Sequence, residues 1–329
     1  MKNIVILATG GTIAGVSDGP TDIVGYHAGI VPIEEIVENI EPLKTIANIT
    51  TSQIAQIDSA DMNHEIWLRL AERINTLLWQ TDVDGIVVTH GTDTLEETAY
   101  FLNLVVKSQK PVVLVGAMRP STAISPDGPM NLYNAIILAV SPAAWDKGVL
   151  VSLNDTINSS REVTKTNTAL QDTFKAPELG YLGYIVDGQP HFYRMPTRKH
   201  TYMTDFNISG ITEFPYVEII YGHVNDKAIV AEAAVAAGAK GVIYAGLGNG
   251  NMSQAMENTF RKIQDQGVVV VRSTRAGNGV VTRNGALTEG HTHFVAADNL
   301  SPQKARILLM LALTKTNNPK EIQEMFWTY

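Results

Sequence analysis

Short runs of consecutive apolar residues alternate with amphipathic helical patterns along most of this chain. Residues 4–8, 85–89, 111–116 and 148–153 are dominated by Val, Ile, Leu, Ala and Gly, and 64–79, 94–107 and 131–140 read as helices between them. In 64–79, Ile66, Leu70, Ile74 and Leu77 share one face; in 94–107, Glu96 and Glu97 occupy the first turn, where the helix dipole favours acids. A strand that is apolar at consecutive positions is covered on both faces, as in a parallel sheet flanked by helices. In such sheets ligands sit where strand C-termini meet the following loops. The segments after Ala8, Val88 and Val115 are therefore the places to look for chemistry.

Between about residues 180 and 215 the alternation stops, and Tyr181, Tyr184, His191, Phe192 and Tyr193 stand among glycines and prolines. This reads as a hairpin followed by a linker. The alternation then resumes, with strands at 217–221, 241–245 and 268–272 and helices at 227–237, 252–264 and 302–314, the last capped by Ser301. A terminal helix follows Pro319, with Asn318 as its cap. The expectation is an α/β protein of two domains: a larger N-terminal unit at 1–190, a linker at 191–212 and a smaller unit at 213–329. A length of 329 residues suits two domains.

The net charge of −8 argues against a general nucleic-acid binder or a partner of anionic membranes, both of which need a basic face. Cysteine is absent, which excludes disulfides, a thiolate nucleophile and Cys-ligated metals. No run approaches the roughly 18 apolar residues of a membrane span. The opening run at 4–8 is too short for a signal-peptide core, so the expectation is a cytoplasmic protein, or a periplasmic one if the chain is a mature form.

Three constellations have chemical potential. In Thr9-Gly10-Gly11-Thr12-Ile13-Ala14-Gly15, paired glycines permit a sharp turn that exposes N–H groups. The segment reads as a plain strand-to-helix turn, as a dinucleotide loop, or as a presented Thr12 nucleophile beside oxyanion donors. Neither G-x-G-x-x-G nor P-loop spacing is present. The second, Thr89-His90-Gly91-Thr92-Asp93-Thr94, brings hydroxyls and a carboxylate to a strand end. Thr92 or Asp93 caps the next helix, or Asp93 orients a base or binds an ammonium. His90 reads as a hydrogen-bonded structural residue more readily than as a base. The third is Arg161–Thr168, where Lys165 is a surface residue unless burial beside Asp93 makes it an acid/base group. The loop at 246–251 is either a phosphate loop or a platform presenting the Asn251 carboxamide. His291 and His293 lack a carboxylate at ligand spacing, and no metal is expected.

Together these segments resemble the bacterial L-asparaginase family, its type II branch most closely. The strongest matches are TGGTIAG at 9–15 and DGIVVTHGTDTLEET at 84–98, followed by GAMRP at 116–120, SPDGPMNLYNA at 125–135, LNDTI and REVTKTNT within 153–168, AGLGNGN at 245–251 and SPQKARILLMLALTKT at 301–316. The resemblance spans essentially the whole chain. It implies a mostly parallel N-terminal sheet, a flavodoxin-like C-terminal domain, and hydrolysis of L-asparagine to L-aspartate and ammonia, with weaker activity on L-glutamine. It implies Thr12 as nucleophile, Tyr26 on a lid above it, and Thr92, Asp93 and Lys165 as a hydroxyl–carboxylate–amine triad. It implies further that Gly11, Ser59, Gly91, Thr92, Asp93 and Ala117 bind substrate, joined by Asn251 from a neighbouring subunit of a homotetramer built of intimate dimers. Neither metal nor organic cofactor is implied.

Two positions depart from the family pattern. Ala60 stands where Gln or Glu commonly helps bind the substrate amino group, and 282–288 lacks the acid that steadies the lid tyrosine in the family, Glu289 lying three positions past the place where that acid is expected. Both bear on selectivity between asparagine and glutamine, and asparagine is expected to be preferred. The rival readings are a broad-specificity glutaminase-asparaginase, an amino-acid-binding protein without catalysis, and a nucleotide-dependent enzyme.

Overall fold

The structure, a computed structural model, describes residues 1–285 and 292–329. The chain divides into two compact units, Met1–Ile208 and Ser209–Tyr329.

In the N-terminal unit, β1 (Lys2–Gly10) is followed by two short helices, α1 (Ile33–Glu38) and α2 (Leu43–Ile46), and by β2 (Ala47–Ile57). Next come α3 (His64–Trp79), β3 (Gly85–Thr89), α4 (Leu95–Val105), β4 (Val112–Val115), α5 (Gly128–Val140) and β5 (Val149–Leu153). Short strands complete it: β6 (Thr156–Ser159), β7 (Thr164–Lys165), β8 (Phe174–Lys175), β9 (Gly183–Val186) and β10 (Gln189–Phe192). Eight of these strands form one sheet in the order β10-β9-β6-β5-β4-β3-β1-β2. The five from β2 to β5 run parallel, and β6, β9 and β10 extend the sheet antiparallel. β7 and β8 pair only with each other.

Local sequence explains these elements. All five residues of β3 are buried, as an apolar run between two helical layers requires. Asn63 caps α3 by accepting the Ile66 N–H at 3.0 Å. Ile66, Leu70, Ile74 and Leu77 turn inward, each burial contributing about 1.5–3 kcal/mol. The principal core lies against α5 and includes Ile4, Ile6, Val87, Val113, Leu132 and Ile136.

In the C-terminal unit, β11 (Val217–Tyr221), α6 (Ile229–Ala236), β12 (Gly241–Gly246), α7 (Gln254–Gln264), β13 (Val269–Thr274) and β14 (Val295–Ala296) give a four-stranded parallel sheet in sequence order. α8 (Pro302–Ala312) and α9 (Pro319–Thr328) follow. Val242, Tyr244, Phe260, Val270 and Phe294 pack its core. Asn318 caps α9 through the Lys320 N–H at 3.0 Å. Ser301 is the cap residue of α8, but its side chain makes no cap bond, which corrects the expected Ser301 cap. Among the described residues no helix is long and apolar enough to cross a membrane.

Candidate active site

The chain leaves β1, forms β2 on one side of it, then crosses to form β3 on the other. The connections after the paired strands β1 and β3 therefore lead to opposite sides, a topological switch, where open parallel sheets offer a crevice at their C-terminal ends. Thr12 follows β1 and Thr92 follows β3. Backbone proximity joins the two loops. A methyl group on Gly11 would collide with Gly91 Cα, and one on Gly91 would lie 2.6 Å from Ser59 Oγ. Gly11 also has φ +82°, a conformation that favours glycine. Only paired glycines let the two threonine-bearing turns come this close.

Thr12 is 4% exposed and begins a short 3-10 turn; its Oγ1 shares a 2.6 Å hydrogen bond with the Tyr26 hydroxyl. Val16 and His27 exchange backbone bonds of 3.0 and 2.8 Å, which folds the segment carrying Tyr26 back toward Thr12. Gly15 makes room for the ring, since a Cβ there would stand 3.0 Å from Tyr26 Cδ2. Burial raises the Tyr26 hydroxyl above its ordinary pKa of 10.0; the bond to Thr12 opposes this, and the Asp93 and Asp58 charges add to it. Tyr26 is therefore a protonated phenol at neutral pH.

Thr92 is likewise 4% exposed. The Lys165 Nζ donates to Thr92 Oγ1 at 2.9 Å and to Asp93 Oδ1 at 2.6 Å. The side chain of Lys165 is 18% exposed and that of Asp93 61%, so the amine is sheltered while the carboxylate still faces outward. The Asp93 N–H donates to Ser59 Oγ at 3.2 Å, and the Thr94 hydroxyl to the Ser59 carbonyl at 2.8 Å. Ser59, on the turn after β2, is thus tied to the loop after β3. Neither Thr92 nor Asp93 caps α4: Thr94 is the cap residue, and its hydroxyl serves Ser59 instead. Ala117, fully buried, follows β4 on a loop held by Asp127, whose carboxylate accepts the Met118 and Arg119 N–H groups at 2.9 Å each.

His90 is wholly buried. The Trp67 indole donates to Thr98 Oγ1 at 2.8 Å, leaving the Thr98 hydroxyl to donate to His90 Nε2 at 2.8 Å. The remaining ring nitrogen, Nδ1, donates to the Gly91 carbonyl at 2.7 Å. Desolvation lowers the pKa of this histidine to about 4, with the Gly91 bond opposing it. His90 is a structural residue that holds the Gly91 turn, and no nitrogen is left to act as a base.

The structure therefore gathers Gly11, Thr12, Tyr26, Ser59, Gly91, Thr92, Asp93, Ala117 and Lys165 in the N-terminal unit, while Asn251 belongs to the C-terminal unit. There Leu247 and Asn251 exchange backbone bonds of 2.8 and 2.7 Å, and the buried Arg272 donates to the Asn249 and Gly250 carbonyls at 3.2 and 3.3 Å. The loop at 247–251 is thus a closed, internally clamped turn. Sequence reading missed the partners that hold His90, Trp67 and Thr98; for Thr98 the signal was its helical spacing after Thr94. Residues 286–288, Glu289 and His291 lie outside the described residues. Among the described residues no three His, Asp or Glu side chains are placed to hold a metal ion.

Fold and site define a two-unit α/β protein in which two threonine-bearing glycine turns pack together at a sheet switch point. Residues 3–198 match the family described as "Asparaginase, N-terminal", and 216–326 match "Glutaminase/Asparaginase C-terminal domain". A Bacillus subtilis (strain 168) protein named L-asparaginase 2 is 56% identical over 329 residues, covering 100% of this chain and 87% of the relative. A Pseudomonas fluorescens biotype A glutaminase-asparaginase is 46% identical, covering 100% and 91%. The crystal structure of a probable cytoplasmic L-asparaginase from Campylobacter jejuni has a TM-score of 0.97 at 48% identity, covering 100% of both chains. The chain belongs to the asparaginase family.

Proposed function

We propose that this protein is an amidohydrolase that converts L-asparagine to L-aspartate and ammonia through a β-aspartyl ester on Thr12. The observation behind this reading is that a Thr12–Tyr26 pair and a Thr92–Asp93–Lys165 set stand on two glycine turns packed against each other. A threonine hydroxyl is a weak nucleophile until its proton has somewhere to go. In this reading Thr12 Oγ1 attacks the side-chain amide carbon and passes its proton to Tyr26, which gives its own to the departing nitrogen. A phenol held neutral by burial suits a relay better than a standing base. Backbone N–H groups beside Gly11 and Thr92 receive the oxyanion, whose stabilisation commonly does most to lower the barrier to acyl transfer. Ammonia leaves, water attacks the ester carbonyl, and aspartate and the free Thr12 hydroxyl are regenerated.

Because Lys165 donates to Thr92 Oγ1, the Thr92 hydrogen is free to point elsewhere, toward the amide in the first step and the water in the second. Ser59 Oγ accepts from the Asp93 backbone, so its own proton is available for the substrate carboxylate, and the outward Asp93 carboxylate suits the α-ammonium. The site is proposed to need no cofactor, and to be completed by Asn251 of a neighbouring subunit in a homotetramer of intimate dimers. The domain limits are proposed as 1–190 and 213–329.

The second reading is a broad-specificity glutaminase-asparaginase, as the 46% identical Pseudomonas fluorescens biotype A relative is named; Ala60, which offers no polar group for the ammonium, bears on the ratio of the two activities. Asparagine and glutamine differ by one methylene, a difference pockets discriminate by about 1–3 kcal/mol. Ammonia release from each amide decides between the two: a higher kcat/KM for asparagine is expected, and equal values would establish the broad enzyme.

A further inference from the structure

Lys165 has to reach two acceptors at once, yet it sits on β7, a two-residue strand outside the eight-stranded sheet. The large sheet therefore does not set its position. Its backbone is instead tied to α4. The Lys165 N–H donates to Glu96 Oε2 at 2.6 Å, a short bond of the charge-assisted kind. Glu96 is 4% exposed, an unusual depth for a glutamate, and lies in the first turn of α4, three residues after Asp93 and four after Thr92. The loop before α4 and the first turn of that helix thus hold, within five residues, both acceptors of the Lys165 amine and the anchor of the Lys165 backbone. The mechanism above makes no use of this buried acid, and its favourable place at a helix N-terminus does not require it to point at a strand 69 residues away.

We propose that Glu96 is a positioning residue: by fixing the Lys165 backbone, it keeps the Lys165 amine on Thr92 and Asp93 during turnover. This rests on the hydrolysis proposed above. The carboxylate acts through Lys165 and touches no reacting atom.

The test compares Glu96→Ala, Glu96→Asp and Glu96→Gln with the wild type, in ammonia release from asparagine and in hydrogen exchange of the Lys165 amide. Glu96→Ala is expected to lower kcat about tenfold to a hundredfold with KM within about threefold, since small misplacements of a reacting group have effects of that order. Lys165 amide exchange speeds up in the same variant. Glu96→Gln keeps an acceptor without the charge and recovers most of the loss, whereas an acid serving only the helix dipole would not be replaced by an amide. Should Glu96→Ala not fold, Glu96→Asp, one methylene short of the Lys165 N–H, is expected to show the same kcat loss and faster exchange. An unchanged kcat in Glu96→Ala or Glu96→Asp, unchanged Lys165 exchange, or a Gln variant as impaired as the Ala variant would overturn the assignment. If the wild type releases no ammonia the hydrolysis reading falls, and the exchange measurement still decides whether Glu96 holds Lys165.

Discussion

Thr12 and Thr92 are both buried threonines placed directly after a glycine, and their neighbours give them different work. Thr12 faces a phenol that can pass a proton on; Thr92 faces an amine that already donates to its oxygen. The asymmetry favours Thr12 as the attacking group. His90 shows the opposite fate of a polar side chain, with every nitrogen committed and the ring held neutral. Its folded pKa of about 4 lies below the ordinary 6.5, so the unfolded chain takes up the proton first as pH falls. The stability this supplies is complete above pH 6.5 and is lost as pH drops toward about 4. The loss is on the order of 3 kcal/mol. Urea denaturation across that window is expected to show a weaker acid dependence in His90→Gln than in the wild type. Parallel curves would show that His90 is not the group responsible.

The first turn of α4 does more than any other element to build the site. Within five residues it ties down Ser59 through Thr94, Lys165 through Glu96 and His90 through Thr98. Packing around it leaves no spare volume at Gly91, where a methyl group would stand 2.6 Å from Ser59 Oγ and 2.7 Å from Ser59 Cβ. Gly91→Ala is therefore expected to reduce kcat/KM at least about tenfold and to destabilise the fold by about 1–3 kcal/mol, the usual effect of overpacking. Normal kinetics and melting would mean that the Gly91 turn is looser than described. Much of this was legible in sequence, because buried parallel strands and the loops after them announce themselves as apolar runs ending in glycine and hydroxyl residues. β2 was not legible. It is a sheet edge rich in Asn, Thr and Gln, with only Ala47 fully buried, so no continuous apolar run marks it. β6 was also missed, although Asn154 and Asp155, both at positive φ, mark the two-residue turn before it. The Lys165–Glu96 bond has no local signature, because the residues that meet are far apart in the chain.

At the scale of the whole molecule, the proposed chemistry divides between two units. The nucleophile and both hydroxyl sets belong to the first, and Asn251 sits on a clamped turn of the second. If subunits share sites as proposed, two inactive variants repair one another. Thr12→Ala and Asn251→Ala proteins, each weak alone, are expected to regain part of the wild-type ammonia release after being unfolded together and reassembled. Mixed assemblies then contain sites with an intact Thr12 from one chain and an intact Asn251 from another. Activity no greater than the sum of the separate variants would mean that each chain supplies its own Asn251, or that Asn251 plays no part.

The ester on Thr12 is the claim on which the mechanism stands. Mass spectrometry of peptides from protein acid-quenched during asparagine turnover tests it most directly. An aspartyl adduct on the peptide containing Thr12, absent from Thr12→Ala protein, is the expected result; an adduct on Thr92 with Thr12 unmodified would contradict it.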